Sequence, residues 1–186
     1  WDNAAAAGQV LAGLIAALHR IAPHRPVQAM AHSMGARVIL SALETLRGLG
    51  LARALLMNPA AYQSQARRAL APLNGGNTEV ISVTSGENDL FDLILERLVP
   101  APCRGDRSLG AGLPGQDRFV TLRLDHPHAL AALARLGHDI APPAARICHW
   151  SPYLRPGVFG LYRALLWSPE RLPLDLLRSK LPQDQP

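Results

Sequence analysis

The stretch Pro26-Val27-Gln28-Ala29-Met30-Ala31-His32-Ser33-Met34-Gly35-Ala36 joins a short apolar run to an amphipathic one, with a serine at the joint. A serine hydroxyl stays protonated at neutral pH. It becomes a nucleophile only with a base in hydrogen-bond reach and a third group that orients the base. A tight strand–turn–helix, the nucleophile elbow, exposes such a hydroxyl at its apex and leaves room only for small residues around it. Ala31, Gly35 and Ala36 stand two before, two after and three after Ser33. The competing reading makes Ser33 an ordinary N-cap of the helix that follows.

Partners for such a serine lie downstream. Gly86-Glu87-Asn88-Asp89-Leu90-Phe91-Asp92 follows the β-branched run Val80–Thr84 and offers the carboxylates Glu87, Asp89 and Asp92. Asp89 sits at the mouth of the loop, Asp92 one turn into the next helix, and Glu87 within the turn itself. A helix N-cap favoured by the macrodipole is the alternative role for Asp89. His126 and His128 directly follow the run Phe119–Leu124, and His149 stands in Ile147-Cys148-His149-Trp150-Ser151-Pro152. His19, His24 and His138 read as solvated helix-end residues.

The A-H-S-M-G turn is the Ala-first form of G-x-S-x-G, and a carboxylate and then a histidine follow it in the chain. In this the sequence resembles the α/β-hydrolase superfamily, of the esterase and lipase type. The resemblance implies a serine hydrolase that cleaves a carboxylic ester through an acyl-enzyme, acting on a small-molecule ester or acyl substrate without cofactor or metal. It implies Ser33 as nucleophile, Asp89 as acid, and His149 as base in a Cys-His-aromatic turn like that of many bacterial members, with His126 and then His128 as the other candidates. The backbone N–H of Met34 is the first oxyanion donor, and His32 packs against the sheet without acting as base. The likeness covers the C-terminal half of that fold. The loop that normally gives the second oxyanion donor, and the strands that normally flank the elbow strand, have no counterpart here. Two other readings stay open: an acyltransferase using the same nucleophile, and a non-catalytic interaction module on the same fold.

Positioning these groups requires alternating strands and helices. Asp2 or Asn3 can cap a helix to Ile21, in which Val10, Leu14, Leu18 and Ile21 form one apolar face. Val27–Ala31, Leu51–Met57, Val80–Thr84 and Phe119–Leu124 read as strands. Helices are expected after Ser33, over Tyr62–Leu70, Leu90–Val99 and His128–Leu136, and through Leu161, Leu165 and Leu166. Leu90, Ile94 and Leu98 mark one side of the third of these. Residues 100–116, rich in glycine and proline, read as an irregular loop, and 72–77 as a turn. The pattern predicts an α/β fold with a mostly parallel sheet covered by helices on both faces. One domain over residues 1–177 and a disordered tail over 178–186 are expected. An elbow strand without its neighbour would present an unpaired apolar edge prone to aggregation.

Composition narrows the partners. In 186 residues the net charge is +5, and Lys180 is the single lysine. The arginines are scattered and aromatics make up 5%, which argues against a nucleic-acid surface. Cys103 and Cys148 are too few for a disulfide framework or a zinc site and read as reduced thiols, which favours the cytoplasm. No stretch reads as a membrane span, which needs about 20 apolar residues. The start at Trp1, directly on a helical run, suggests a portion of the fold upstream.

Overall fold

In a computed structural model describing residues 2–71 and 76–182, the four apolar runs are four strands of one sheet. These are β1 (Val27–His32), β2 (Leu51–Met57), β3 (Glu79–Thr84) and β4 (Phe119–Arg123), paired in the order β1-β2-β3-β4. Every pairing is parallel, so the sheet is all-parallel where the sequence reading had it mostly so. The helices are α1 (Asp2–Ile21), α2 (Met34–Leu46), α3 (Gln63–Ala69), α4 (Asp89–Leu98), α5 (Pro127–Arg135), α6 (Ser151–Leu154), α7 (Val158–Trp167) and α8 (Leu174–Lys180). Residues 72–75 of the expected turn lie outside the described residues.

The two-residue period of the strands divides the apolar side chains between two cores. Leu55, Ile81 and Val120 share one register row and Met57, Val83 and Leu122 another, and both rows pack with α5, α7 and α8. Ala54, Val80 and Phe119 point the other way, into a core built with α1, α2 and α3. Helices on both faces satisfy a parallel sheet, whose strands are apolar on both sides.

Three expectations about which residues the helices bury and where they end change. The face of α1 that carries Val10, Leu14, Leu18 and Ile21 points outward, Val10 being 76% and Ile21 80% exposed, while Ala12 and Ile15 are buried. The helix turns its small residues inward because they allow close approach. A Cβ on Gly8 would lie 2.5 Å from Ser41 Cβ and 2.7 Å from the Val38 carbonyl oxygen of α2. Leu90, Ile94 and Leu98 of α4 are likewise exposed, and Leu95 is the residue α4 buries. At the other end, the tail expected from residue 178 is helical through Lys180, because Leu174, Leu177 and Leu181 recur at helical spacing and are all buried. Residues 183–186 of that tail lie outside the described residues.

The sequence reading of no span-length segment does not hold for α1. Asn3–Ile21 is a 19-residue helix of mean hydropathy 1.4, long and apolar enough to cross a bilayer. Signal sequences and core helices share that length and hydropathy.

Candidate active site

β1 leads into α2 without a loop, and Ser33 is the single residue between them. Its backbone lies at φ 54° and ψ −123°, a region that L residues rarely enter, and its side chain makes no capping hydrogen bond. The N-cap reading therefore fails on both counts, since an N-cap has extended dihedrals and a side-chain bond into the first turn. The turn is held from outside. Ser33 N–H donates to Met57 O at 3.0 Å, and Ser33 O accepts from Ala36 N–H at 3.0 Å and Ala60 N–H at 3.1 Å. A Cβ on Gly35 would stand 3.1 Å from Ala31 Cβ, so small residues are needed on both sides of the serine. Met34 opens α2, where backbone N–H groups have no intrahelical acceptor.

His149 lies on the loop before α6, and four strand ends tie that loop down. His32 Nε2–H, from β1, donates to His149 O at 2.9 Å, and Asn58 Nδ2, just past β2, donates to the same oxygen at 2.8 Å. Cys148 N–H donates to Glu87 O at 2.9 Å, in the 3-10 turn Gly86–Asn88 that follows β3. The Glu87 carboxylate accepts from Ser85 Oγ at 3.0 Å and Ala145 N–H at 3.3 Å, and forms a buried ion pair with Arg155. Arg155 also donates to Leu124 O beyond β4. Burial alone would raise the Glu87 carboxyl, but the hydrogen bonds from Arg155 and Ser85 and the charge of Arg155 hold it below the usual carboxylate value.

The ring of His149 rests against His32, with centroids 4.4 Å apart, and against Phe91 at 4.6 Å. Burial, with His32 adding to it, lowers its pKa below 6.5. Its Nδ1–H donates to Asn88 Oδ1 at 2.7 Å. Asn88 Nδ2 in turn donates to Asp92 Oδ2 at 3.1 Å, and Asp92 Oδ1 accepts from Ser108 Oγ at 2.5 Å. No hydrogen bond joins Ser33 Oγ to His149 among the described residues; such bonds are often long or unformed without substrate.

The group that meets His149 is thus Asn88, not Asp89. Asp89, the first residue of α4, is exposed, and the charges that bear on it are those of Arg123 and Asp125 at the end of β4. Although its side chain reaches solvent, partial desolvation raises its carboxyl above the usual value, against the pull of Arg123. The 3-10 turn is the cause: it brings Asn88 under the ring and carries Asp89 round to the β4 side. Asp92 reaches the site through Asn88. His126 Nδ1 accepts from His128 N–H at 3.2 Å and so caps α5, and His128 is exposed. His32, expected to pack against the sheet, holds the His149 loop instead. A carbonyl only accepts, so its Nε2 carries the proton and is no base.

The described residues hold no group of three or more His, Cys, Asp or Glu able to bind a metal ion. Comparison of the chain with protein-family models, curated proteins and solved structures finds no match.

Proposed function

We propose that this chain is a serine hydrolase of the α/β-hydrolase kind, cleaving a carboxylic ester through an acyl-enzyme on Ser33. The observation that carries the reading is the left-handed backbone of Ser33 at a strand–helix junction, its hydroxyl unused by any cap. Strain of this sort collects at functional sites, and this turn is the one a nucleophile elbow requires. A histidine with Nδ1 tied to a side-chain acceptor, at the C-terminal end of the same sheet, supports the assignment.

In this reading Ser33 Oγ attacks the ester carbonyl carbon while His149 Nε2 takes the hydroxyl proton. Nδ1–H, held by Asn88 Oδ1, keeps the lone pair on Nε2; Ser-His and Cys-His sites vary in the third residue, and asparagine is among the variants. Met34 N–H, at the positive end of α2, donates to the oxyanion. Collapse breaks the C–O bond, and the alkoxide leaves with the proton from His149. Water, deprotonated by His149, then attacks the acyl carbon and releases the acid and Ser33. The parts of the α/β-hydrolase fold beyond this four-stranded sheet belong to the same proposal.

Turnover of p-nitrophenyl acyl esters of graded chain length tests it. We expect at least one ester to be hydrolysed, with an early burst of p-nitrophenol and a mass increase on Ser33. Ser33→Ala should lose the burst and about 10³-fold or more in kcat. Equal turnover by the variant would refute the assignment.

A further inference from the structure

Asparagine is an ambiguous partner for histidine. Its side chain carries an acceptor and a donor of nearly the same shape, and the two orientations impose opposite tautomers on the ring. With Oδ1 toward the ring, Nδ1 must hold the proton and Nε2 is free to act as base. With Nδ2 toward the ring, Nδ1 must accept, the proton moves to Nε2, and the base is lost. Something has to choose between them.

We propose that Asp92 is a positioning residue that makes this choice, holding the Asn88 amide so that its oxygen faces His149. Burial raises the Asp92 carboxyl, with Asp89 and Glu96 adding to it, while the hydrogen bonds from Ser108 and Asn88 favour its ionised form. As a carboxylate it only accepts, so the Asn88 atom 3.1 Å from Asp92 Oδ2 is the amide nitrogen. The oxygen then faces the ring, 2.7 Å from Nδ1. Asp92 is itself fixed. Its other oxygen accepts from Ser108 Oγ, and Ser108 is buried, its N–H bound to Glu96 Oε1 at 2.7 Å. Gly110 backs onto the carboxylate so closely that any side chain there would collide with it. Asn88 and Asp92 are four residues apart, so one turn at the start of α4 brings the pair together. The relay puts a charge behind the ring without placing it against the ring.

The groups that face His149 are His32 from β1, Phe91 from α4, and Asn88 with Asp92 behind it. The Glu87–Arg155 pair lies beneath the loop. Exchanging amide and carboxylate in the double variant Asn88→Asp/Asp92→Asn keeps one charge in the relay and moves it onto the ring.

The proposal rests on the reading of Ser33 and His149 as nucleophile and base, and the test separates the two. The rate at which a fluorophosphonate labels Ser33 is measured against pH in the wild-type chain, Asp92→Leu and the exchange variant, with circular dichroism to check folding. Asp92→Leu should label about 100-fold more slowly with its spectrum kept. The exchange variant should recover to within about tenfold of wild type, with its acid limb moved to higher pH, because a carboxylate against the ring favours the imidazolium. The carboxylate at position 88 moves that limb whatever Asp92 does, so the limb verifies the exchange and the recovered rate reports on the relay. Wild-type labelling with Asp92→Leu equally fast overturns the relay and leaves the nucleophile reading standing. An exchange variant no faster than Asp92→Leu also overturns it. If Asp92→Leu does not fold, the exchange variant decides alone. A wild-type chain that never labels removes the reading itself and the relay with it.

Discussion

Ser33 holds a conformation that costs a non-glycine residue on the order of 1–3 kcal/mol, and the bonds imposing it come from β2 and the segment after it. That geometry was half legible. Small neighbours around a serine predicted the turn, and the structure supplies the dihedral that the letters imply. Asn88 was not legible, because reading for a carboxylate passed over a neutral amide. The signal was present as an Asn–Asp pair four apart, straddling the start of a helix. A prediction at this scale concerns His149. Burial disfavours the charged ring, so its pKa lies below 6.5 and the base form persists to lower pH than for a free imidazole. The acid limb of kcat/KM for an ester substrate should therefore have its midpoint below 6.5. The stability sign is the same: between the lowered value and 6.5 the unfolded chain binds more protons, so this group's contribution falls as pH drops through that window. A limb centred above 6.5 would contradict a buried base.

Strands were easier to read than helix faces. Four apolar or β-branched runs bounded by glycine and proline became the four strands with ends shifted by a residue or so. In α1 the large residues repeat at helical spacing and still face out, because Gly8 and Ala12 let α2 come closer than leucine would. Periodicity reports an apolar face, not what covers it. Nor could spacing reveal that the loop carrying His149 hangs from a buried pair, since Glu87 and Arg155 are 68 residues apart. Breaking such a pair leaves an uncompensated buried charge. Arg155→Met should cost about 3–5 kcal/mol of unfolding free energy in urea melts, together with most of the ester turnover, because Glu87 would no longer be held beneath Cys148 and His149. Full activity in a clearly destabilised variant would show that the loop needs no such anchor.

Across the whole molecule, the site sits at the C-terminal end of a sheet whose β1 edge pairs, among the described residues, with β2 alone. Met30, the β1 residue on the face shared with Leu55, is 46% exposed beside a cleft of about 710 Å³ lined also by Phe159 and Trp167. The outward stripe of α1 adds further apolar surface. The exposed side chains of that stripe make little packing energy, so Val10→Gln with Ile21→Gln should change unfolding free energy by no more than about 0.5 kcal/mol while raising solubility. A loss of several kcal/mol would mean that the face is covered in solution. These features leave the central claim to chemistry, and the most direct measurement is peptide mapping after treatment of the folded chain with a fluorophosphonate. One adduct is expected, on the peptide carrying Ser33, absent after Ser33→Ala and slowed when His149 is replaced by glutamine. An unmodified Ser33, or labelling indifferent to His149, would contradict it.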